Sequence, residues 1–348
     1  MAVTRRGKLA VSLAGALAVT GVGVGALALT GHAPPALQRA IDNVTGEAKT
    51  PPPVCPLTGT PAPHGSIPDR PVLAVKIENL PEARPQAGLD HADIVYEEPV
   101  EGGITRFIAL FQCDEADQVG PIRSGRTTDP EILVQYGKPL LAYSGAAGPV
   151  QRRIDEAGLT DISEGLAPQA YTRDPNRVAP HDVFSTTSAL WKAAKSKDGA
   201  PEAVFTYADD LAVKARKVAA VHLGFSSYSD VNWTWSKKQG AWVRAHGTVP
   251  HTLVDGSQVQ TTNIVVQVVD VTAGHIIDPA GNPSPDVDVT GSGRAYVFRD
   301  GRMIVGRWER PKERDVTTFV TKAGQTIPLA PGTTWVELLP STVPVETT

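Results

Sequence analysis

Residues 92–126 (ADIVYEEPVEGGITRFIALFQCDEADQVGPIRSGR) constrain the fold more than any other stretch of the chain. Residues 93–98 read as a strand, Gly102-Gly103 turns the chain, and residues 104–113 read as the next strand. Side chains alternate across a strand. Phe107, Ala109 and Phe111 therefore share one face, with Ile104, Arg106, Ile108 and Leu110 on the other. Two apolar faces call for a central strand covered on both sides, which puts Arg106 among apolar neighbours. The stretch also carries Glu97, Glu98 and Glu101 and ends in Arg123 and Arg126. No other part of the sequence is as dense in ionisable groups beside apolar ones, so a site is expected here.

The elements around it alternate. Residues 72–77 read as a buried strand and residues 139–143 as another. Between them, Asp129-Pro130-Glu131 reads as a helix start, with Asp129 as the cap and Pro130 in the first turn, running to residue 135 or 136 before Gly137. A second helix is expected from Pro149 to about residue 157. A third, capped by Ser185, should end near residue 197, after an irregular segment at 171–183. This alternation predicts a mixed α/β domain over residues 55–205. Residues 206–345 read as a β-rich domain, with strands at 218–225, 232–236, 241–245, 264–271, 293–299, 303–310 and 334–339 and a hairpin turn at Asp300-Gly301. A chain of 348 residues suffices for two domains, and 32 glycines with 30 prolines favour turns and short strands.

The N-terminus bears on the compartment. Arg5, Arg6 and Lys8 precede an uncharged run at residues 9–29. Within residues 1–30 this reads as a secretory signal peptide or as an uncleaved transmembrane anchor with its basic end inside. Ala26-Leu27-Ala28 offers a cleavage pattern, but inside the apolar run; no cysteine follows that would take a lipid there. Residues 31–54 form a Pro-rich tether ending in Pro51-Pro52-Pro53. Only Cys55 and Cys113 occur. In an exported chain they read as one disulfide, the alternative being two buried thiols. A net charge of −4 argues against nucleic acid as a partner, and no Cys/His spacing matches a zinc site. No cofactor is implied.

Several residues in this frame can carry chemistry. Arg123 and Arg126 stand before a helix start, where two guanidiniums can clamp a carboxylate or phosphate; the alternative is an ion-pair network with Glu98 and Glu101. Glu97 and Glu98, being adjacent, point to opposite faces of a strand, and one of them could pair with Glu101 as an acid/base couple. Ser144 sits at a strand-to-helix turn without the G-x-S-x-G elbow of a hydrolase. His181, in Ala179-Pro180-His181-Asp182, is a pocket donor, a base or a structural residue. Trp233, Trp235, Trp242, Trp308 and Trp335 are a sugar-stacking platform or core packing.

The runs Arg70-Pro71-Val72, Ile77-Glu78-Asn79, Pro85-Gln86-Ala87-Gly88-Leu89, Val100-Glu101-Gly102-Gly103-Ile104-Thr105-Arg106 and Val119-Gly120-Pro121-Ile122-Arg123-Ser124-Gly125-Arg126 resemble the DUF3048 family. Asn263-Ile264-Val265-Val266-Gln267, Gly291-Ser292-Gly293-Arg294-Ala295 and Pro331-Gly332-Thr333-Thr334-Trp335 resemble its second domain. The resemblance covers about residues 55–342. It implies an N-terminal α/β domain, a β-rich C-terminal domain and an envelope location, and no activity. Family members are often lipoproteins, from which this chain departs. The expectation is an extracytoplasmic protein, held at the cell membrane or secreted. It would bind an anionic or glycan wall component, or a wall-synthesis partner, through Glu98, Glu101, Arg106, Arg123, Arg126, Ser144 and His181. The alternative is a wall-glycan hydrolase or transferase using Glu101 and His181.

Overall fold

Short apolar runs broken by glycine and proline fold into a molecule made mostly of strands, with few helices, in a computed structural model that describes residues 52–278 and 281–348. The first half contributes β1 (Leu73–Glu78), β2 (Ile94–Pro99), β3 (Thr105–Phe111), α1 (Thr128–Leu133), β4 (Leu140–Ala142), α2 (Gly148–Ala157), β5 (Thr160–Asp161) and α3 (Thr187–Ala194). The second half contributes β6 (Ala220–Gly224), β7 (Asp230–Ser236), β8 (Ala241–His246), β9 (Asn263–Val269), β10 (Val271–Ile277), β11 (Pro283–Val287), β12 (Gly291–Arg299), β13 (Arg302–Arg310), β14 (Thr318–Thr321) and β15 (Thr334–Pro340).

One mixed sheet runs through both halves in the order β14-β13-β12-β9-β15-β2-β3-β1-β4-β5, with the short strand Arg216–Lys217 pairing with β13. The join is β15, which lies parallel to β9 on one side and parallel to β2 on the other. Parallel neighbours need cover on both faces, and β15 reads Thr-Trp-Val-Glu-Leu-Leu, buried from Thr334 to Leu339. The central position expected for residues 104–113 is observed: β3 pairs antiparallel with both β1 and β2, and all seven of its residues are buried.

β6, β7 and β8 form a second antiparallel sheet. Its Trp233 meets Trp335 edge-on at 5.2 Å between ring centroids, and Trp242 meets Phe298 at 5.7 Å. Trp233, Trp242, Trp308 and Trp335 are buried, so four of the five tryptophans considered for sugar stacking build core. Such ring pairs contribute about 0.5–1.5 kcal/mol each beyond the area they cover. The turn Asp300-Gly301 adopts φ of 53° and 65°, the mirror-image turn that suits a tight hairpin between β12 and β13.

Several expected elements differ. Asp129 does not cap α1; Thr127 precedes the helix, and the Asp129 carboxylate reaches back to the Arg126 N–H at 2.7 Å. Thr186, not Ser185, caps α3 by accepting from the Ala189 N–H at 3.0 Å. Ser185 instead ends a strand whose hydroxyl donates to Ala170 O. That strand, Val183–Ser185, pairs with Tyr171–Arg173 within the segment expected to be irregular. The β10–β11 ribbon is not expected from the sequence; Pro283 at the start and Pro285 in the middle of Pro283–Val287 obscure it.

Cys55 and Cys113 form a disulfide, with Cα atoms 6.0 Å apart, tying the start of the described chain to the end of β3. Among the described residues no helix is long and apolar enough to cross a membrane. The expected segment at residues 1–30 lies outside them, as does the tether up to residue 51.

Candidate functional site

Strand register builds a row of charge at one end of the sheet. Glu78 on β1 lies opposite Arg106 on β3, and Arg106 lies opposite Glu98 on β2. Lys76, two residues before Glu78, shares that face. Its ammonium pairs with Glu98 and, at 2.6 Å, with Asp129; all three side chains are fully buried. Burial pushes the Glu98 carboxyl well above its ordinary pKa; Lys76 opposes the rise and the neighbouring Asp129 adds to it.

Glu101 is presented by a turn, Glu101–Gly103, in which Gly102 and Gly103 hold φ of 70° and 73°, a region that favours glycine. Its Oε2 accepts from Arg126 Nε at 2.8 Å and Nη2 at 2.5 Å, and its Oε1 accepts from the Ser284 hydroxyl on β11 at 2.6 Å. Burial pushes this carboxyl up, but the bonds from Arg126 and Ser284 outweigh it and hold the pKa below the ordinary glutamate value. Arg126 also donates through Nη1 to Gly125 O and Ser124 O. Its guanidinium is thus almost fully engaged by the protein.

Arg106 is not. Its residue is 6% exposed, and its Nη1 donates to Ser124 O at 3.1 Å. Its Nε is buried without a hydrogen-bond partner, and among the described residues no carboxylate lies within 4.0 Å of the guanidinium. Its two strand neighbours are taken: Glu98 by Lys76, and Glu78 by Arg123 Nε at 3.2 Å and His181 Nδ1 at 2.8 Å. Burial lowers the Arg106 pKa to about 10, with Arg126 and Arg123 adding repulsion and Glu101 and Glu78 opposing it. Arg123, with 24% of its side chain exposed, has only its Nε engaged among the described residues. The Ser144 N–H donates to Arg123 O at 3.1 Å and holds that loop.

All seven expected residues therefore belong to one connected region. Arg106, Arg123 and Arg126 converge; Glu98 and Glu101 are spoken for by Lys76 and Arg126; His181 orients Glu78; Ser144 supports the arginine loop through its backbone. Sequence reasoning missed Lys76, Glu78 and Ser284. Lys76 and Glu78 had a signal: a charge inside an otherwise apolar strand. Ser284 had none, since it lies 183 residues from Glu101.

A second buried network on the opposite face was also missed. Glu97 accepts from Arg244 Nη2 at 2.7 Å, both side chains fully buried, and from the Thr105 hydroxyl at 2.6 Å. Glu337 on β15 is the register partner of Glu97 and accepts from Trp233 Nε1 at 2.7 Å. Burial, reinforced by Glu97, pushes its pKa well above the ordinary glutamate value. The expected splitting of Glu97 and Glu98 to opposite faces is what keeps these networks apart.

The model for "Protein of unknown function (DUF3048) N-terminal domain" matches residues 57–200, and that for the corresponding C-terminal domain matches residues 221–336. "Putative lipoprotein YerB" of Bacillus subtilis (strain 168) is 30% identical over 294 residues, covering 82% of this chain and 86% of the relative. The crystal structure of the YerB protein from Bacillus subtilis superposes with a TM-score of 0.72 at 24% identity, over 84% of this chain and 99% of the other. The strand pattern, the shared signature runs around Arg106 and Arg123, and both family matches lead to one conclusion: the chain belongs to the DUF3048 family.

Proposed function

We propose that this protein works outside the cytoplasm, at the cell envelope, and binds an anionic group of a wall component through Arg106, Arg123 and Arg126. The observation that carries the reading is Arg106: a nearly buried guanidinium with an unengaged Nε and, among the described residues, no carboxylate partner. An uncompensated buried charge is costly, and a bound carboxylate or phosphate would offset it with charge-assisted hydrogen bonds. Arg123 supplies the solvent-facing fork, and Arg126, locked by Glu101, supplies fixed positive potential. The envelope location draws on the lipoprotein name of the Bacillus relative and on the basic-then-apolar N-terminus. The binding is non-catalytic. Glu101 is a paired carboxylate with a lowered pKa, which suits it to anchoring Arg126 rather than to donating a proton as a glycosidase acid does.

The test is cosedimentation of the full chain with purified wall material. Arg123→Gln should weaken binding by roughly ten-fold while melting stays within about a degree of the parent, because the side chain lies at the surface end of its pair and His181 still holds the Glu78 carboxylate. Undiminished binding in Arg123→Gln would sink the reading. Wall fragments cleaved by the parent and left intact by Glu101→Gln would replace it with the hydrolase.

A further inference from the structure

Across the sheet from these arginines, a cleft of about 330 Å³ opens where the two halves of the chain meet. One wall is Arg84 and Pro85; the other is His246, Val249, Pro250 and His251. The seam is closed by the Val254 N–H donating to Gln86 O at 3.0 Å and by a 2.9 Å hydrogen bond between His251 Nε2 and Gln86 Oε1. The cleft is therefore built by tertiary contacts, with Gln86 bonded to both Val254 and His251 at its base.

Its charge does not balance. Arg84 donates through Nη2 to Asn79 O at 2.8 Å, its Nε is buried without a partner, and among the described residues no carboxylate lies within 4.0 Å of it. Behind it stands Arg244, fully buried, with Glu97 as its one ion-pair partner among the described residues and its own Nε unengaged. Glu337, the next carboxyl, accepts from Trp233 Nε1 at 2.7 Å and, among the described residues, lies within 4.0 Å of neither guanidinium. Neither histidine adds an anion or a proton. Burial and the Arg244 charge push His246 down to about 2, with Arg84 contributing, and push His251 well down too. Arg84 thus brings to the cleft a guanidinium with a buried, unengaged Nε and, among the described residues, no carboxylate to pair with, a positive charge placed to meet an entering anion. Glu82, the other acid acting on Arg84, is exposed to solvent. The mouth is apolar: Val249 is 65% exposed beside Pro250. A cleft of this size with apolar walls and one convergent charge has the make-up of a small-molecule site.

We infer that this cleft binds a small organic anion, its carboxylate or phosphate head on Arg84 and its apolar body against Pro85, Val249 and Pro250. The site is separate from the arginine region above. It lies on the Glu97 side of β2, and Glu98 carries the other network on the reverse side. Either reading can fail without the other.

The experiment titrates the full chain with phenyl phosphate, benzoate and benzyl alcohol. It follows the His246 ring by NMR, the signal being identified by its loss in His246→Gln, and measures affinity by calorimetry. Phenyl phosphate or benzoate should saturate the His246 shift, the tighter of the two naming the head group. Benzyl alcohol, with the body but no charge, should bind at least ten-fold more weakly. Arg84→Gln should weaken the anions at least ten-fold, and Arg294→Gln, an exposed charge elsewhere, should not. If circular dichroism shows Arg84→Gln unfolded, Val249→Asp takes its place. It puts a negative charge on the exposed rim and should weaken the anions by a similar factor. The inference is overturned if neither anion gives a saturable shift at millimolar concentration. It is equally overturned if benzyl alcohol binds as well as the anions, or if the folded Arg84 or Val249 variant binds them like the parent.

Discussion

Replacing both cysteines, Cys55→Ala with Cys113→Ala, should slow folding and leave unfolding nearly untouched. The bridged residues are 58 apart in sequence, and the Cα atoms sit 6.0 Å apart in the native state, a comfortable separation for a disulfide. The bridge therefore acts chiefly on the unfolded chain, by forbidding conformations in which residue 55 is far from residue 113. For a loop of this length the chain-entropy relation gives about 14 cal/mol/K, or about 4 kcal/mol at room temperature. Spread over about 300 folded residues, that loss lowers the melting temperature by roughly 6 °C. The assay is a stopped-flow urea chevron of the double variant beside the oxidised parent. Because the bridge joins the loop before β1 to the end of β3, the loop must close before the three-stranded core β2-β3-β1 can form. Most of the change should appear as a folding rate lower by two to three orders of magnitude, about 1.4 kcal/mol per factor of ten. Unchanged folding with faster unfolding would place the stabilisation in native contacts around the sulfurs and refute the entropic argument.

Two further outcomes test the buried charges. Asp93 is pushed up to about 7 by burial, which outweighs the hydrogen bonds it accepts from the Gln112 and Cys113 N–H groups. Its folded pKa lies above the unfolded value of 3.8, so its contribution is fully present below about pH 4 and is lost as pH rises towards 7, by up to about 4 kcal/mol. Asp93→Asn should flatten that part of the stability–pH curve in urea titrations; an unaltered slope would show that the backbone N–H groups win. Arg244→Met strands the Glu97 carboxylate in the core and should cost about 3–5 kcal/mol in equilibrium unfolding, part of it recovered by adding Glu97→Gln. A double variant no more stable than the single one would mean that lost packing, not stranded charge, sets the cost.

By itself the sequence determined the local pieces. Short apolar and β-branched runs bounded by turn residues placed β1, β2, β3 and most strands of the second half within a few residues, because such runs are written into each strand separately. Asp300-Gly301 marked its hairpin because few residue pairs accept positive φ. The parity of Glu97 and Glu98 assigned them to opposite faces with no partner in view. The same runs that carry the family signature marked out Arg106, Arg123 and Arg126. Tertiary structure alone decided how the pieces share partners. Nothing local announces that β15, residues 334–340, slots between β2 and β9, since a fully buried parallel strand looks the same wherever it pairs. Nor does the chain show locally that Lys76 takes Glu98 while Arg244 takes Glu97, from 147 residues away. Charges in a core choose partners by distance and shared desolvation, and both are set only when the sheet closes. That closure turns Arg126 from a free clamp into an anchored one and leaves Arg106 and Arg84 each with a buried, unengaged Nε and, among the described residues, no carboxylate within 4.0 Å.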